Sequence, residues 1–106
     1  MAKKYQSVKL PKVLMVGGHG YKVHSNKESV IRLDAANAIG QCYSGAQRMI
    51  HISPDLTQPD KTRIILHEVF HAIDDVYNQG KWDEDVDKLA QGFMQVTEQL
   101  GIRLEV

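Results

Sequence analysis

Two histidines stand four positions apart at His67 and His71, with Glu68 directly after the first. On a helix, residues at i and i+4 share a face, so both imidazoles can reach one metal ion while the glutamate reaches water held beside it. Imidazole nitrogen suits zinc, which in hydrolytic sites takes three protein donors and leaves a fourth position open. The run His67-Glu68-Val69-Phe70-His71 supplies two of them. A third histidine six positions further on would complete a three-histidine pattern, but Tyr77 stands there. The third donor then falls to a carboxylate, and Asp83-Glu84-Asp85, with Asp87, opens the next segment. Phased against the apolar stripe that starts at Val86, Asp85 is the first choice and Glu84 the alternative, since a register error at a helix start is common. Glu68 is placed to act as a general base, accepting a proton from water and handing it to a leaving amine. Asp74 and Asp87 are candidates to hydrogen-bond the far nitrogens of the two histidines. Tyr77, Tyr43 and His51 are candidates to stabilise an oxyanion, and the spacing selects none of them. His19 and His24 stand alone and read as exposed turn and strand residues.

The segment that must position these groups is residues 62–77. Thr62, Ile65, Leu66, Val69, Ala72, Ile73 and Val76 recur at helical spacing and form one stripe, with His67 and His71 on the side away from it and Glu68 at its margin. Thr57 or Asp60 is the expected N-cap, and the glycine of Asn78-Gln79-Gly80-Lys81 ends the helix. A second helix is expected over residues 82–100, with Val86, Leu89, Ala90, Phe93, Val96, Thr97 and Leu100 as its buried stripe and Gly101 as its cap.

Upstream, Val13-Leu14-Met15-Val16 and Tyr21-Lys22-Val23-His24 flank a glycine cluster and read as a hairpin. Residues 29–38 fit a short strand or a helical turn. Residues 39–43 and 48–53, joined through Ser44-Gly45-Ala46, read as a second hairpin whose last strand puts Met49 and His51 on one face and Ile50 and Ile52 on the other. The last five residues alternate like a strand but fit a frayed end equally well. Residues 1–12 carry Lys3, Lys4, Lys9 and Lys12 and no acidic residue, which reads as a solvated basic arm. The fold class this predicts is α+β: a small antiparallel sheet of hairpins followed by two packed helices.

A chain of 106 residues with 42% hydrophobic residues supports one domain, residues 1–106. Thirteen basic and thirteen acidic residues cancel, leaving no global field for nucleic acid or an anionic membrane. The single cysteine, Cys42, excludes an internal disulfide, and no apolar run approaches the roughly 20 residues of a membrane span, so a soluble, cytoplasmic protein is expected.

At residues 63–75, Arg63-Ile64-Ile65-Leu66-His67-Glu68-Val69-Phe70-His71-Ala72-Ile73-Asp74-Asp75, the chain resembles the zincin metallopeptidases. More narrowly it is similar to the short phage and prophage zincins related to the ImmA/IrrE-like family, over about residues 43–100. That resemblance implies a minimal zincin-like core, a zinc cofactor, a protein or peptide substrate, and a third ligand at the start of the last helix, here Asp85 where the family has glutamate. It also implies that the strand over residues 47–53 is an edge on which an extended substrate lies. Two other classes fit the same residues. One is a non-catalytic, zinc-stabilised binding or inhibitor protein of phage type, in which the ion contributes folding energy. The other is a metal-free interaction domain.

Overall fold

The computed structural model describes residues 4–106. Met1, Ala2 and Lys3, the start of the basic arm, lie outside the described residues. The architecture is α+β, with six strands and three α-helices. Strands β1 (Gln6–Lys9), β2 (Val13–Val16) and β3 (His19–His24) are followed by helix α1 (Lys27–Ala35). Then come β4 (Gly40–Tyr43), β5 (Met49–Ile52), α2 (Asp60–Asn78), α3 (Val86–Leu100) and β6 (Ile102–Glu105).

The glycine cluster makes the first hairpin. Val16 pairs with His19, so Gly17 and Gly18 form a two-residue turn, and both have positive φ, 56° and 82°. That turn geometry matches the twist of the flanking strands and needs residues without a Cβ. Gly17 has a second reason to lack a side chain, because a Cβ there would fall 2.6 Å from Val76 near the end of α2.

The main sheet runs β2-β3-β5-β4. The expected sheet of hairpins is corrected at its centre, where β3 and β5 pair in parallel. Residues 27–35 are the reason: they form a helix that carries the chain over one face, which lets β5 return beside β3 in the same direction. The Asn26 side chain caps this helix by accepting from the Ser29 backbone N–H, and the Ser29 hydroxyl accepts from the Asn26 N–H. A further correction concerns the edge: β5 is internal, and β4 is the free edge strand beside α2.

Alternation along β5 divides the layers. Ile50 and Ile52 point into the core with Val16, Tyr21, Ile64, Ile65 and Ala72. His51 points the other way and is fully buried, its Nδ1 2.8 Å from the Ser29 hydroxyl and its ring stacked on His24. Burial first, and then the His24 charge, lower the His51 pKa, so it is neutral in the fold. His51 thus ties α1 to the sheet and does not reach the cleft.

The basic arm is not a free tail over its described length. β1 pairs in parallel with β6, and the Arg103 guanidinium lies 3.7 Å over the Tyr5 ring. Below this ribbon, Thr62 is fully buried; its hydroxyl donates to the Gln58 side-chain oxygen and accepts from the Leu104 N–H. Helix α2 begins at Asp60 after Pro59, and the Gln58 carboxamide, rather than Thr57 or Asp60, accepts from the Thr62 N–H. The second long helix also starts later than expected, at Val86. Residues 79–85 form turns, with Gln79 and Gly80 left-handed at φ 56° and 75°. Among the described residues, no helix is long and apolar enough to cross a membrane.

Candidate metal centre

α2 is the middle of the molecule, covered by the sheet on one side, by α3 on another and by the β4 edge along its first turns. The third cover explains why Glu68 is 5% exposed, deeper than a stripe-margin position suggests. Gly40 of β4 lies directly against it. A Cβ at Gly40 would stand 2.7 Å from Glu68 Oε2 and 2.9 Å from Ile64 Cγ2. A glycine inside a strand often marks such close approach, and that was the one available sequence signal for Gly40. Gly40→Ala is expected to cost about 1–3 kcal/mol by overpacking this contact, read as a lowered urea midpoint. An unchanged midpoint would show that strand and helix do not meet there.

His67, Glu68 and His71 each offer a donor atom, all within 4.8 Å of one another. The two imidazoles face each other through Nε2, 3.0 Å apart. Their other nitrogens face carboxylates: His67 Nδ1 is 3.0 Å from Asp87 Oδ1, and His71 Nδ1 is 3.4 Å from Asp83 Oδ1. A carboxylate beside Nδ1 selects the tautomer with the proton there, which leaves each Nε2 with its lone pair. Two lone pairs aimed at one another across 3.0 Å repel unless a proton or a metal cation lies between them.

The electrostatics agree with that geometry. Burial, followed by the His67 charge, lowers the His71 pKa, which favours the neutral ligand form. The His67 hydrogen bond, ahead of Gln91 and Arg63, holds the Asp87 carboxyl below its usual range. Burial alone pushes Glu68 from its ordinary 4.5 to about 7. No hydrogen bond or ion pair among the described residues satisfies this carboxylate. A general base is most effective near the working pH, and an unpartnered buried carboxyl is one way to place it there.

The three groups line an open cleft of about 390 Å3 together with Gly40, Gln41 and Cys42 of β4, Ser44 just after it, and Asp74, Asp75, Gly80 and Asp83. Cys42 lines the cleft but stands outside the His67–Glu68–His71 donor cluster, and burial, then Glu68 and Asp75, push its thiol up to about 12. Asp74 is fully buried and spent on structure: its carboxylate accepts from the Trp82 N–H and the Asn78 side chain. Asp75 accepts from the Tyr21 hydroxyl. Asp83 keeps reach, with its side chain 76% exposed and its contact to His71.

Asp85 and Glu84, expected as third ligands, are not among the residues lining the cleft. Asp85 instead borders an apolar recess with Phe70, Ile73, Trp82 and Leu89. Helical phase carried back from Val86 misplaced both, since 83–85 precede the helix. Of the two proposed histidine supports, Asp87 meets His67 and Asp74 does not contact a ring. Tyr43 donates to Gln41 and Tyr77 packs near Gly17, so neither is directed at the histidines. His19 pairs across the first hairpin with Val16 and His24 stacks on His51, both away from the cleft.

Comparison with known proteins gave no match to a family model, to a curated protein or to a solved structure.

Proposed function

We propose that this chain is a zinc-dependent peptide-bond hydrolase of zincin type, with His67 and His71 as ligands through Nε2 and Glu68 as the general base. The observation that carries the reading is the pair of Nε2 atoms facing each other at 3.0 Å while both Nδ1 atoms meet carboxylates. That donor set fits a borderline-soft divalent cation such as zinc. Asp83, at His71 Nδ1 on the far side of that ring from Nε2, we assign to orient His71 as Asp87 orients His67 rather than to ligate the ion.

A zinc ion held there supplies Lewis acidity, making water nucleophilic at neutral pH and polarising a carbonyl oxygen. The remaining chemistry belongs to the protein. Glu68 takes a proton on its carboxylate and returns it to the leaving amine, and its packing against Gly40 orients it at the cleft. Asp87 fixes the tautomer and plane of His67. The free β4 edge along the cleft offers backbone groups to an extended chain, which favours a polypeptide substrate. A cytoplasmic setting goes with the lone reduced cysteine.

The test starts from metal content. Purified protein is expected to carry near-stoichiometric zinc or to take it up from solution, and His71→Ala to lose it. Loaded protein is then incubated with a library of unstructured peptides and the products read by mass spectrometry. Cleavage by the wild type and none by Glu68→Gln supports the assignment. Zinc retained with no cleavage by either chain would favour a zinc-stabilised binding protein. No metal uptake would end both readings.

A further inference from the structure

We infer that two copies of this chain associate through an antiparallel pairing of their α3 helices. Amphipathic helices bury their apolar stripe, but α3 does so only in part. Val86, Ala90 and Thr97 are buried against α2, whereas Leu89, Phe93, Val96 and Leu100 are 43, 50, 49 and 67% exposed. These four fall within a wedge of roughly 60° on the helix, beside the buried face and without a charged residue among them. Their spacing of four, three and four residues is that of a helix–helix seam with knobs packed into holes.

The seam maps onto itself. A two-fold axis passing beside α3 between Met94 and Gln95 sets Leu89 opposite Leu100 of the second copy and Phe93 opposite its Val96, the self-complementarity that an isologous dimer requires. At one end of the seam lies the apolar recess lined by Phe70, Ile73, Trp82, Asp85 and Leu89. At the other end stands Leu100, the most exposed of the four. An antiparallel partner places its Leu100 at this recess, and the symmetry repeats the contact. Phe70 and Phe93, edge to face with centroids 5.6 Å apart, floor the middle of the patch. Gly92, beside the seam, has open space where a Cβ would be, so a second helix can approach closely.

Area and charge agree with a second copy as the occupant. With Trp82, 44% exposed, the side chains of the seam leave about 500 Å2 of apolar surface in water at roughly 150–250 Å2 per large side chain. Doubled across the axis, this reaches the ~1,000 Å2 that a specific interface needs. A formal net charge of zero sets no repulsion against self-association. The recess and the candidate metal cleft share no lining residue, Asp85 bordering one and Asp83 the other, so pairing at the recess does not use the residues of the cleft.

Sedimentation equilibrium of the full chain across about 1–200 µM tests this. The wild type is expected to show twice the single-chain mass. Leu100→Glu and Phe93→Glu are each expected to halve it while keeping the wild-type circular dichroism spectrum. A wild type of single-chain mass at the highest concentration overturns the proposal and leaves the seam to a different partner. So does a folded variant that keeps the doubled mass. Orientation is read by mixing Leu89→Cys chains with Leu100→Cys chains under mild oxidation, which should cross-link them. Leu89→Cys alone should not cross-link, its two copies standing about 16 Å apart along the axis. Cross-linking of Leu89→Cys with itself, or none in the mixture, excludes the antiparallel pairing.

Discussion

Glu68→Gln is expected to make the metal-free protein more stable at pH 8 while removing the proposed peptide hydrolysis. The carboxyl titrates at about 7 in the fold against an ordinary 4.5, because burial penalises the anion. A raised value means that the favourable balance is fully present below about pH 4.5 and is lost as the pH climbs through 7. Above that, holding the partly desolvated carboxylate costs roughly 3 kcal/mol, taking about 1.4 kcal/mol per tenfold change in proton affinity. Glutamine resembles the neutral acid and does not ionise. The gain should therefore be near zero at pH 4.5 and roughly 3 kcal/mol at pH 8, a rise in melting temperature on the order of 10 °C for a chain this size. Thermal unfolding in a chelator at the two pH values reads it directly. A gain that is the same at both would show that the carboxylate is not destabilised by burial. Peptide cleavage by the zinc-loaded variant should fall at least about 100-fold, the usual contribution of a positioned base. A residue that weakens the fold at working pH, with no partner to offset it, is one a structural role does not explain.

The second large effect concerns the carboxylates behind the histidines. Asp87→Asn is expected to reduce zinc affinity by about 10–100-fold, since an amide orients the imidazole less well and adds no negative charge. Asp83→Ala should reduce it by a similar factor, because it removes the carboxylate beside His71 Nδ1. Asp85→Ala, at the apolar recess, should leave affinity within about two-fold. Competition titration against a chromogenic chelator gives the three values on one scale. If Asp85→Ala proves the most damaging, the turn over residues 83–85 rearranges on metal binding and the third donor is Asp85 after all.

The parts of the fold that follow from local rules were legible. The glycine pair forced the first hairpin, the alternation of β5 separated Ile50 and Ile52 from His51, and the run from Thr62 to Asn78 is one helix as its stripe requires. The parts that depend on distant partners were not. Nothing near Ser7 or Val8 in sequence announces that β1 pairs with β6, nearly the whole chain away. The burial of Glu68 was missed for the same reason, since it depends on Gly40 of a strand edge rather than on the helix's own periodicity. The α3 stripe was read as a buried core face, and half of it is not, because apolar spacing records that a face avoids water and not which chain covers it. At the site, helical phase left Asp87 intermediate and did not single it out, and its contact with His67 comes from how α3 packs on α2; the same phase does not extend to residues 83–85, which are not helical.

The turn before α3 also makes the chain its own optical probe. Trp82 is the single tryptophan, its backbone N–H is held by Asp74, and its neighbour Asp83 faces His71. The residue, 44% exposed, borders the recess at the end of the α3 seam. One fluorophore therefore sits between the two events proposed here. Its emission intensity reports on the carboxylate side of the cleft, and its accessibility to a collisional quencher reports on whether a second helix covers the recess, so ion uptake and pairing can be followed separately in unlabelled protein.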